Sequence, residues 1–275
     1  MAGAAGLAAV GPRRIYDRFT RDEGPPARLP SHSGPTIERG ELDSAHTASP
    51  VGWVIAVPPG ADAAAIPICF CLPGRGTDAA QIEGIGFLDL IAEAAAQRGV
   101  APFTAASLDA GNSFFHPRAT GENRLAFLLD EFIPFVEARL GLENPARGLW
   151  GWSMGGYGSL LAAETQPERF RAVVAVAPAL WRTHDEQASA VPEAFDGAQD
   201  YAVHDVFAHP ERLARIALRV DVGADDPFRA ADEAFRGLFD PPPAGGVSPG
   251  VHSVDTFLRF APAEIDFLGN ALVQK

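Results

Sequence analysis

The residues best placed to do chemistry are Gly151-Trp152-Ser153-Met154-Gly155, a G-x-S-x-G run. They follow the apolar run Gly148-Leu149-Trp150 and open a helix-compatible stretch over 154–166. A strand, a tight turn and a helix in that order lift a serine hydroxyl clear of a sheet, where it can act as a nucleophile. The turn strains the serine backbone and brings helix and strand close together, and Gly151, Gly155, Gly156 and Gly158 leave room for that approach.

A serine hydroxyl attacks a carbonyl only when a base takes its proton. The base is normally a histidine held in one tautomer by a carboxylate. When the serine sits on such an elbow, the partners follow in the order acid, then histidine. The stretch Val220-Asp221-Val222-Gly223-Ala224-Asp225-Asp226-Pro227 offers the acid. Asp226 is preferred because a residue before proline is pushed to an extended backbone. Asp225 is the alternative, and closing the turn is its competing role. His252, in Gly250-Val251-His252-Ser253, offers the base. His32 and His46 precede the sheet, His116 and His184 precede the acid, and His204 and His209 fall in a polar stretch expected to be exposed. No H-x-H or H-E-x-x-H spacing occurs, so neither a metal nor a cofactor is expected. Charge developing on a carbonyl oxygen needs two donors. The amide of Met154, directly after the serine, is one; the amide of Arg75, in the glycine turn Leu72-Pro73-Gly74-Arg75-Gly76, is the other. Phe114, Phe115 and His116, which follow one strand end, and Leu180 and Trp181, which follow another, are candidates for an apolar substrate pocket, as is Trp152.

Elements must exist to hold these groups. Thr36–Ser44 and Val51–Val57 alternate as an antiparallel pair, with Trp53 facing the core, and Ile66–Leu72 is a continuous apolar run, as in a strand covered on both faces. Asp78 and Gln81 have capping-box spacing ahead of a helix that ends at Gly99. Phe103–Leu108 reads as a strand. Leu125, Leu128, Leu129, Phe132 and Val136 mark a helix that Pro134 should kink. Val173–Ala177 and Leu218–Val222 are strands, 178–200 an excursion without clear periodicity, and His209–Ile216 and Arg229–Leu238 helices. A last helix carries Phe257, Ala261, Ile265, Leu268 and Leu272. Strands alternating with helices predict an α/β fold, a mainly parallel central sheet with helices on both faces, and ligands beyond the carboxyl ends of its strands.

Bulk properties narrow the partners. With 35 acidic and 22 basic residues the net charge is −13, which repels a phosphate backbone, so no nucleic acid is expected. No apolar run approaches ~20 residues, so no transmembrane segment is expected. Cys69 and Cys71 share one face of a strand and read as buried structural thiols. The start, MAGAAGLAAV, resembles the tail of a twin-arginine export signal without its basic head; export from an upstream start and a frayed alanine-rich terminus on a cytoplasmic protein both stay open. The expected division is an extended N-terminal segment over 1–35 and one domain over 36–275. Oligomeric state is not written in the chain.

The segments L-P-G-R-G-T-D (72–78), G-W-S-M-G-G-Y-G (151–158), G-A-D-D-P-F (223–228) and G-V-H-S (250–253), with Leu129 to Pro134, resemble the esterase D branch of the α/β-hydrolases, related to the mycolyltransferase antigens of actinobacteria. The resemblance covers about residues 36–272. It implies an α/β-hydrolase domain, a Ser153–Asp226–His252 triad, and hydrolysis of a small-molecule carboxylic ester. The alternatives are acyl transfer to a sugar or alcohol, and a binding protein on a hydrolase fold. Two departures stand out. Pro73-Gly74 replaces the family's usual His-Gly or Asp-Gly. Four prolines and three glycines fill 241–250, where the family has a strand, so that edge should be short or irregular.

Overall fold

The computed structural model describes residues 34–274, so all but the last two residues of the expected segment 1–35 lie outside the described residues. Eight strands form one sheet in the order β1-β2-β4-β3-β5-β6-β7-β8. These are β1 (Thr36–Leu42), β2 (Val51–Val57), β3 (Ile68–Leu72), β4 (Thr104–Leu108), β5 (Arg147–Trp152), β6 (Ala172–Val176), β7 (Ala217–Gly223) and β8 (Ala244–Ser248). β2 runs antiparallel to both β1 and β4; every pairing from β4 to β8 is parallel.

Strand alternation divides the core between two faces. Phe70, Leu72, Leu149, Val173 and Val220 pack into one cluster, with the helical run from Arg124 to Leu140, α5 (Met154–Thr165) and α8 (Arg229–Arg236). Cys69, Cys71, Trp150, Val174 and Val222 point the other way, under α2 (Phe87–Glu93) and the 20-residue α9 (Val254–Val273). Both cysteines are buried and free. Trp150 carries a polar atom into that second core, and its Nε1 donates to Glu264 Oε2 at 2.8 Å. Among the described residues no helix is long and apolar enough to cross a membrane.

Several local readings need correction. The Asp78–Gln81 capping box does not form. Asp78 Oδ1 instead accepts from Ala80 N at 3.0 Å, and the Gln81 side-chain amide lies 3.2 Å from the Thr77 hydroxyl oxygen. The helix beginning there, α1 (Gln81–Gly84), breaks at Gly86 (φ 66°) before α2 restarts. Ahead of Pro134 the helix from α3 (Arg124–Ala126) to α4 (Ile133–Leu140) widens into a π turn over Phe127–Phe132 rather than only kinking, which accommodates the missing proline N–H. Only a 3₁₀ turn, Pro210–Leu213, forms where a helix was expected over His209–Ile216. The excursion after β6 is itself partly helical, with α6 (His184–Ala190) and α7 (Ala198–Val203). At the sheet edge β8 is a short five-residue strand. Its glycines are required there, since a Cβ on Gly245 would lie 2.6 Å from the Val220 carbonyl oxygen.

One carboxyl on α5 makes stability sensitive to pH. Burial, and to a lesser degree Asp205 and Glu211, raise Glu164 to about 7, against the opposing pull of His209 and Arg212. The folded state therefore holds a proton that the unfolded chain releases near pH 4.5, and stability falls as pH rises from there to about 7. Glu164→Gln should match the wild type at pH 4. At pH 8 it should be more stable by on the order of 1 kcal/mol, discounted for partial contact with water, or roughly 2–4 °C in Tm. Thermal melts at the two pH values check this.

Candidate active site

Ser153 occupies the turn between β5 and α5 with φ 52° and ψ −119°, outside the regions open to an unstrained L-residue. Three backbone bonds hold it there. Its N–H donates to Val176 O at 2.9 Å, and its carbonyl accepts from Tyr157 N at 3.1 Å and Ala179 N at 2.9 Å. The helix start presses against the loop after β3. A Cβ on Gly155 would lie 1.9 Å from the Leu72 carbonyl oxygen, backbone that cannot move aside. Gly155→Ala should cost about 3 kcal/mol or more and displace the elbow. Urea unfolding together with the soluble yield measures that loss.

The other two predicted residues converge on this hydroxyl. His252 Nε2 lies 3.0 Å from Ser153 Oγ, and His252 Nδ1 lies 2.7 Å from Asp226 Oδ2. The second oxygen of Asp226 accepts from Phe228 N at 2.9 Å, so both are engaged and the carboxylate cannot rotate freely. Asp226 is buried whereas Asp225 is exposed, which separates the two candidates the sequence left open. The rings of Phe228 and Phe257 stand edge-on to the imidazole, each with its centroid 5.2 Å away. Acid and base loops are stitched together, because Ala224 N donates to Ser248 O at 2.7 Å and Asp225 N to Gly250 O at 2.9 Å. His252 immediately precedes Ser253, the N-cap of α9, whose hydroxyl accepts from Thr256 N at 3.2 Å.

Behind Ser153 a cavity of about 450 Å³ opens, lined mostly by apolar groups, among them Phe114, Leu180, Trp181, Val191 and Phe228. Ser153, His252 and Arg75 all border it, so a carbonyl seated beside the serine would carry an apolar group into it. The Arg75 guanidinium pairs with Glu193 across the mouth, joining the loop after β3 to the excursion that roofs the cavity. That loop is braced from below. Gly74 O accepts from the Thr77 hydroxyl at 2.7 Å, and Gly76 N donates to Asn112 Oδ1 at 3.2 Å.

Of the pocket candidates, Phe114, Leu180 and Trp181 line this cavity, and Trp152, Phe115 and His116 do not. Trp152 has the strand parity of Trp150 and turns to the opposite face, packed on Trp150 and Phe257. There its indole supports the loop after β3, for a Cβ on Gly74 would lie 2.6 Å from Trp152 Nε1. Phe115 is buried against α5, where a Cβ on Gly158 would meet its ring at 2.4 Å. Its neighbour Phe114 takes the pocket position instead, because both residues have left-handed backbones (φ 53° and 54°) and strand alternation does not apply to them. Asn112 and Asp109, the latter accepting from Ala79 N at 2.8 Å, were missed as supports; nothing local in the sequence marks them.

The geometry has counterparts among known proteins. The family model Esterase, described as "Putative esterase", matches residues 44–238. No curated protein matches the sequence. Among solved structures, a ferulic acid esterase superposes with a TM-score of 0.75 at 17% identity, over 86% of this chain and 98% of its own. An S-formylglutathione hydrolase from Agrobacterium tumefaciens gives 0.68 at 17% identity, over 89% and 98%. MPT51 from Mycobacterium tuberculosis gives 0.70 at 14%, over 86% and 99%. At such identities the likeness is one of fold, the α/β-hydrolase fold.

Proposed function

The chain belongs to the Esterase family of carboxylic-ester hydrolases, and on that premise we propose that Ser153, His252 and Asp226 are its catalytic triad and that the cavity behind Ser153 takes the acyl group of the ester. The observation that carries the reading is the unbroken hydrogen-bonded line from Ser153 Oγ through His252 to Asp226 at the mouth of an apolar cavity.

In this reading His252 Nε2 takes the serine proton as Oγ attacks the ester carbonyl. Asp226 holds the Nδ1 proton and stabilises the imidazolium that forms. The amides of Met154 and Arg75 receive the negative charge on the tetrahedral oxygen. Collapse of the intermediate passes the imidazolium proton to the leaving alcohol and leaves an acyl-serine. Water, deprotonated by His252, then releases the acid. An alcohol or sugar hydroxyl in place of that water gives transfer rather than hydrolysis, and product analysis with added methanol or trehalose tells them apart.

The substrate class follows from the cavity, whose Phe114, Trp181 and Phe228 rings favour a bulky apolar or aryl acyl group over acetyl. A panel of p-nitrophenyl esters with rising acyl size tests this. The wild type should show kcat/KM rising from acetate to bulkier acyl groups. Trp181→Leu should lose about tenfold on the bulkiest ester while acetate cleavage changes little. A flat profile in both proteins would refute the assignment of the cavity.

A further inference from the structure

Away from the triad, the excursion that roofs the cavity is pinned to the loop after β4 by a part-buried group of ligating side chains. His116, two residues beyond the pocket ring Phe114, meets Asp200 and His204 from α7 and its end, and one donor atom from each of the three lies within 4.8 Å of the others. The spacing of the histidines gave no hint of a metal, since 84 residues separate the two segments in sequence.

Two of the three side chains, His116 and Asp200, are oriented from outside. His116 Nε2 faces Ala194 O at 2.9 Å, which places a proton on that nitrogen and leaves the Nδ1 of a neutral ring bare. Bare Nδ1 then faces two further lone-pair atoms, Pro117 O at 3.2 Å and Asp200 Oδ1 at 3.5 Å. Asp200 Oδ2 is engaged by Asp196 N at 2.7 Å, which turns Oδ1 toward the imidazoles, and His204 Nδ1 lies 2.9 Å from that same Oδ1. The rings of His116 and His204 lie side by side with centroids 4.7 Å apart. His204 Nδ1 donates to Asp200, but His116 Nδ1 faces two acceptor oxygens with no proton to give either, and lone pairs so opposed repel unless a cation lies among them. An outer hydrogen bond fixing each ligand is the usual support of a metal site.

We propose that His116, Asp200 and His204 form a structural zinc site, with the Pro117 carbonyl as the fourth ligand. Two imidazoles and one carboxylate suit zinc better than calcium or magnesium, which take oxygen-rich sets. Coordination uses Nδ1 of each ring, and the neutral His204 ring takes its other tautomer, its proton passing from Nδ1 to Nε2 by way of solvent. No bond is made or broken elsewhere and no electron moves. The ion would lock the roof of the cavity to its floor. His204 O already accepts from Tyr157 OH on α5 at 2.8 Å, so the clamp reaches the helix that follows the nucleophile.

The inference does not depend on ester chemistry. The full-length protein, stripped with chelator and dialysed, would be titrated with zinc alone. Expected are one equivalent bound per chain, a higher Tm on loading, and the visible absorption of four-coordinate cobalt when Co²⁺ replaces zinc. Asp200→Asn and His204→Gln should each weaken binding by roughly 10–100-fold, and Ser153→Ala should bind as the wild type does. Circular dichroism checks that each variant is folded, and His204→Gln carries the test if Asp200→Asn does not fold. Less than stoichiometric uptake by the folded wild type, or undiminished uptake in the folded variants, would overturn the proposal.

Discussion

Replacing Ser153 by alanine is expected to lower kcat for a p-nitrophenyl ester by about 10⁶-fold while leaving the protein folded. The size of the loss follows from what the side chain does. Every later step passes through its oxygen, and His252 has no other nucleophile in line, because Nε2 faces Ser153 Oγ at 3.0 Å. The backbone should tolerate the change, since the bonds that hold the turn run from the Ser153 N–H and carbonyl and not from its hydroxyl. Alanine retains the strained φ, so a melting temperature within a few degrees of the wild type should accompany the loss. Activity within tenfold of the wild type in that variant would remove Ser153 from the mechanism.

The second large effect is expected at the acid. Asp226→Asn keeps the shape of the side chain but presents an amide where His252 Nδ1 needs an acceptor, and kcat should fall by about 10⁴-fold. Asp225→Asn is the control, one residue away, exposed, and anchored through its backbone N–H to Gly250 O. It should stay within about twofold of the wild type. Steady-state kinetics on the pair ask whether the carboxylate seen 2.7 Å from His252 is the one the chemistry uses. Equal losses in both variants would contradict the assignment.

Much of this site could be read from the chain because its logic is local. The serine turn is announced by glycines at positions where a Cβ would strike neighbouring backbone, as at Gly151 and Gly155. Asp226 precedes a proline that restricts its backbone, and His252 precedes a helix whose cap, Ser253, is visible in sequence. Parallel strands declare themselves as apolar runs because both faces are covered. The misreadings arise where a side chain's direction depends on distant partners. Trp152 shares the strand parity of Trp150, which already marks it for the face away from the cavity. Phe115 carries no such mark, because two successive left-handed residues cancel any alternation. The glycines of β8 looked like breakers, yet they let that edge strand close on Asp221 and Val220. The cluster of His116, Asp200 and His204 has no sequence signature at all, since folding alone brings its two halves together.

The stitching of the acid loop to the base loop, Ala224 to Ser248 and Asp225 to Gly250, has a consequence for the making of the protein. A ribosome delivers Ser153, its turn and the whole sheet before it delivers residue 252. On the proposed reading the nascent chain carries an inert serine throughout that interval. A message cut short before codon 252 would therefore yield a polypeptide that cannot attack esters, however well its sheet has formed.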